Sequence, residues 1–144
     1  MVKEDTVNLL RECNLGIKMG ISSLNDVLDK IESVDFEEKI KKSRNEHEDL
    51  ETETQILLNR YGDEEKQPNV MAKSMSWIKT NVMMSMDDSD KTVAGLITDG
   101  CNMGIKTING YLNEYSEADK KVKDIAYKII DLETTLLENV KEYL

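Results

Sequence analysis

The phrase Cys13-Asn14-Leu15-Gly16-Ile17-Lys18 returns as Cys101-Asn102-Met103-Gly104-Ile105-Lys106 with one substitution. A second phrase, Asp49-Leu50-Glu51-Thr52, returns as Asp131-Leu132-Glu133-Thr134, and the order is the same in both halves. A chain that repeats itself this way is constrained to pack two copies of one supersecondary unit against each other. The unit reads as a helical hairpin. In its first helix, Val7, Leu10, Asn14, Ile17, Ile21, Leu24, Leu28 and Ile31 recur in steps of three and four, the seam of an amphipathic helix over about residues 6 to 32. Asp35 with Glu38 reads as a capping box opening the second helix. That helix carries the seam Ile40, Ser43, His47, Leu50, Thr54, Leu57 or Leu58 and Tyr61, and stops at Gly62.

In the second copy the first helix runs from about Lys91 to Tyr115, and Ser116 or Asp119 caps the last helix, with Val122, Ile125, Ile129, Leu132, Leu136, Val140 and Tyr143 inward. Residues 1-62 are therefore repeat one, 91-144 repeat two, and 63-90 a crossover with no counterpart. After Pro68, the spacing of Met71, Met75, Ile78, Val82 and Met86 predicts a further short helix carrying Trp77. One domain is expected, since 144 residues with 39% hydrophobic content suit a single core. A crossover that spans the bundle lets helices 2 and 3 run parallel while each hairpin stays antiparallel.

With 29 acidic against 19 basic residues the net charge is -10, which disfavours nucleic acid and anionic lipid as partners. No stretch reaches the length of a membrane span and no signal segment opens the chain, so a cytoplasmic location is expected. The two cysteines match neither a disulfide framework nor a zinc motif. No Walker loop, nucleophile elbow or dinucleotide fingerprint is present, and no enzymatic activity is expected.

The helix order, the duplication, the Trp77 crossover and the phrases around Gly16-Ile17-Lys18 and Gly104-Ile105-Lys106 resemble the ferritin-like superfamily, in particular its small bacterial four-helix families without an assigned role. The resemblance implies an all-α, ferritin-like four-helix bundle. It would imply a di-iron centre only with a Glu on helices 1 and 3 and Glu-x-x-His on helices 2 and 4. Arg44 stands three residues before His47, and repeat two holds no histidine. No metal and no cofactor are therefore carried over.

Other polar residues on or beside the seams are candidates in their own right. Asn14 and Asn102 are expected as buried polar residues. Lys18 with Glu51, and Lys106 with Glu133, fall at matching heights when each hairpin is folded about its turn. They read either as ionic bridges at mid-bundle or as ordinary surface pairs worth about 0 to 1 kcal/mol each. His47 reads as a satisfied core histidine, with a single divalent ion held by His47 and Glu51 as the alternative. The helical glycines point to close helix packing with no roomy cavity. Trp77, Met83 and Met84 suggest an apolar patch for self-association or a protein partner. The functional expectation is a scaffold or interaction protein; the alternative is a divergent metal-binding or redox bundle built around His47.

Overall fold

The computed structural model describes residues 2–62 and 89–144. Within them lie four α-helices and no strand: α1 (Val2–Leu28), α2 (Val34–Arg60), α3 (Asp90–Glu114) and α4 (Lys120–Val140), followed by one 3-10 turn at Lys141–Tyr143. The predicted crossover helix, with Trp77, Met83 and Met84, lies outside the described residues.

Helix starts are fixed by side chains that satisfy otherwise unpaired N–H groups. Ser33, rather than Asp35, caps α2, its hydroxyl accepting from the Phe36 N–H. Asp35 is free to face elsewhere, and its carboxylate takes Lys39 and the Tyr143 hydroxyl. Ser89 caps α3 through the Thr92 N–H. Asp119 occupies the cap position of α4, its carbonyl accepting from the Val122 and Lys123 N–H groups, while its carboxylate makes no cap bond and accepts from the Tyr61 hydroxyl at 3.3 Å. Gly62, at φ 67°, follows α2 in the left-handed conformation expected of a stop.

Three sets of contacts set the helix directions. Asp90 at the start of α3 accepts from the Glu32 and Ser33 N–H groups in the α1–α2 turn, at 2.8 and 2.9 Å. Near the other end, Asp5 and Thr6 accept from the Glu117 and Asp119 N–H groups just before α4. Tyr143 returns to stack on Phe36 with ring centroids 4.2 Å apart. Hence α2 and α3 run parallel to each other and antiparallel to α1 and α4, with Gly62 and Ser89 at opposite ends of the bundle.

In cross-section the helices follow the order α1, α2, α4, α3. The α1–α4 diagonal is short enough for direct packing, and α2 and α3 stand apart. The apolar residues collect in two clusters. One, toward the start of α1, includes Leu9, Leu10, Ile17, Leu58, Val122 and Ile125. The other, toward the α1–α2 turn, includes Leu24, Val27, Phe36, Ile40, Val93 and Val140. Between them, at the height of Gly20, His47, Gly104 and Glu133, the core turns polar.

Candidate functional site

The polar layer is built around His47. Its place on the α2 seam buries the ring almost fully, at 1% exposure. Nδ1 lies 2.7 Å from the Ser43 carbonyl oxygen and Nε2 lies 3.2 Å from Glu133 Oε1 on α4. Against an ionised Glu133 both neighbours are acceptors, and the imidazolium, with its two N–H groups, can donate to both at once. Burial of the ring opposes that charge. The hydrogen bond and charge of Glu133, the Ser43 carbonyl and the charge of Glu46 together outweigh it, and the His47 pKa is raised.

Glu133 also reaches Cys101 on α3. Burial, and then the charge of Glu133 and a hydrogen bond to it, hold the Cys101 thiol protonated well above its ordinary range. Cys13 is likewise inert, pushed by burial up to about 12. Neither thiol is a nucleophile near neutral pH, because the thiolate is the reactive form.

Several sequence expectations are corrected at this layer. Glu133 pairs with His47 and not with Lys106, which is exposed. Among the described residues Glu51 forms no ion pair, so the expected bridge to Lys18 is not made; both residues are half-buried. The ionic layer is present at mid-bundle, but it runs between the hairpins instead of within each. A His47–Glu51 metal pair is not assembled either, since both nitrogens of His47 face other groups. Among the described residues no three His, Cys, Asp or Glu side chains converge as a ligand set.

Asn14 is 1% exposed, and its amide donates to Thr54 Oγ1 at 2.9 Å; the Thr54 hydroxyl in turn donates to the Glu51 carbonyl. Asn102, expected to match it, is exposed. The helices differ in surroundings: α1 packs on α2, α3 and α4, whereas α3 packs on α1, α4 and the terminal turn. Among the described residues the same seam position meets Thr54 on α1 and is exposed on α3.

Alongside the polar layer, and to both sides of its height, the wall between α1 and α3 opens into a cleft of about 290 Å³. Gly16, Met19, Gly20, Leu24 and Val27 form one side, and Leu96, Ile97, Gly100, Gly104 and Ile108 the other. His47 and Glu133 lie at its floor, and Glu12 also lines it. The glycines here do not close the helices on each other as expected. Among the described residues a Cβ built on Gly100 would meet nothing within 4 Å, and one on Gly16 would touch only Ile108, at 3.8 Å. Gly20 is the exception: a Cβ there would stand 3.1 Å from the His47 ring, so its bareness makes room for the imidazolium.

The isolation of His47 was the signal for its partner. A buried ring with two nitrogens needs a hydrogen-bond partner at each, and Glu133, one position off the α4 seam, is one that the bundle can supply. Cys101 at the same centre had no comparable signal, because its thiol looks in sequence like a small apolar group.

No helix among the described residues is long and apolar enough to cross a membrane. Comparison of the chain with family models, with curated proteins and with solved structures found no match.

Proposed function

We propose that this chain is a ferritin-like bundle, derived from a duplicated hairpin, that binds a small apolar molecule between α1 and α3 and does not transform it. The supporting observation is the cleft: about 290 Å³, walled by aliphatic side chains and glycines, with polar groups confined to a few places. Small-molecule sites combine an apolar lining with a few fixed polar groups, often between the helices of a bundle. A dry apolar cavity of about 150 Å³ accepts one benzene ring, so this space suits a ligand of about two fused rings.

The parallel course of α2 and α3 supports the ferritin-like assignment, because it demands one long crossover. At the height where di-iron relatives would hold metal, this chain has a charge-compensated His47–Glu133 pair.

Calorimetric titration with naphthylmethanol, an uncharged two-ring probe, tests the reading. Saturable one-site binding is expected, lost in Gly104→Leu, whose Cβ would sit at ordinary contact distance, 3.7 Å, from Glu133 while the rest of the side chain fills the cleft. Circular dichroism checks that the variant folds. Absence of binding to the native chain would overturn the proposal.

A further inference from the structure

The charged groups around the cleft narrow the class of ligand. Its described lining contains two carboxylates, Glu12 and Glu133, one imidazole, His47, and no Lys or Arg. With His47 as a cation the lining carries one net negative charge, and with His47 neutral it carries two. The sign is the same in either state. The net charge of -10 on the whole chain adds to it at longer range.

Glu133 is the carboxylate best placed to meet a ligand. Oε1 accepts from His47, which fixes the side chain's orientation. Oε2 lies 3.7 Å from where a Gly104 Cβ would stand, and because residue 104 is glycine no side chain of its own covers that oxygen. A carboxylate has about four lone-pair sites, so with His47 and the weakly donating Cys101 thiol on it there is room for a further donor. Fixed at the foot of an apolar wall, it forms a stronger hydrogen bond with a cationic donor than it would in water. An anionic ligand would meet like charge in a partly desolvated space, with no cation among the described lining residues except the His47 ring already bound to Glu133.

We infer, resting on the ligand-binding reading above, that the cleft selects a compact aromatic or aliphatic body carrying a protonated amine, with the ammonium directed to Glu133. The same body with a neutral hydroxyl binds more weakly, and with a carboxylate more weakly still. The selection comes from one side chain held by its partner and left uncovered by a glycine.

The test is a three-ligand ranking on the native chain at low salt: naphthylmethylamine, naphthylmethanol and naphthoate, each titrated calorimetrically. The amine is expected to bind about tenfold tighter than the alcohol, with naphthoate the weakest. Raising the salt should weaken the amine and leave the alcohol unchanged. In Glu133→Gln the advantage of the amine over the alcohol, and its salt dependence, should disappear. If the alcohol binds and the amine is no tighter, the charge selection is overturned and the cleft reading stands. If none of the three binds, the cleft reading falls and this inference with it. Should Glu133→Gln not fold, the ranking and its salt dependence on the native chain decide: an amine advantage indifferent to salt overturns the assignment.

Discussion

A histidine that donates from both ring nitrogens while 1% exposed couples its protonation to folding. The folded pKa of His47 is raised above the ordinary 6.5, so its pairing stabilises the protein fully below that value. The contribution is lost as pH rises through the folded pKa. Urea unfolding followed from about pH 6 to about pH 9 should show stability falling with pH in the native chain, with the fall attributable to this group absent in His47→Gln. The burial of His47 and Asn14 was legible because both sit on regular seams. Their partners were not: Thr54 lies on the facing helix at a register the turn had to define, and Glu133 comes from the other hairpin. Lys106 and Glu133 differ in height by about half a turn, since Gly104 is the residue that faces Glu133.

Helices were the most legible level, because a three-and-four repeat sustained over many turns is hard to satisfy otherwise. The caps were less so. Ser33 and Asp35 are both good N-caps by type, and Asp35 is engaged instead by Tyr143 from the end of the chain and by Lys39 one turn on in α2. Those contacts lower the Asp35 pKa, through the Tyr143 hydrogen bond first and Lys39 second, and the first of them belongs to tertiary structure. Asp90 has a similar cross-element role, holding two N–H groups of the α1–α2 turn from the first residue of α3. Hydrogen bonds to a charged acceptor contribute about 1.5 to 3 kcal/mol, so Asp90→Ala should lower stability by about that amount in chemical denaturation. Amide exchange at Glu32 and Ser33 should speed up in the same variant, which separates loss of this tie from loss of α3 helicity.

At the scale of the molecule, the His47–Glu133 layer divides one core into two apolar clusters. Breaking a buried ion pair by removing one partner typically costs about 3 to 5 kcal/mol, whereas replacing both partners with apolar residues is often neutral or stabilising. Glu133→Leu should therefore be strongly destabilised, and His47→Leu combined with Glu133→Leu should recover native stability or exceed it, as read from urea midpoints. A recovered fold would identify the layer as retained for something other than stability. The cleft alongside this layer was the least legible feature. Glycine at helical spacing specifies bare backbone, and only the relative position of α1 and α3 decides whether another helix or an open space meets it.

The directions of the helices also have an electrostatic consequence. In the order α1, α2, α4, α3 every adjacent pair is antiparallel, so the backbone dipoles oppose one another along all four edges. The α1–α4 diagonal alone brings parallel helices into direct packing, and there two positive N-terminal ends lie at the same end of the bundle. Asp5 belongs to the first turn of α1 and accepts from the Glu117 N–H in the approach to α4. A carboxylate at that junction sets negative charge against both helix ends and offsets the repulsion that the diagonal creates.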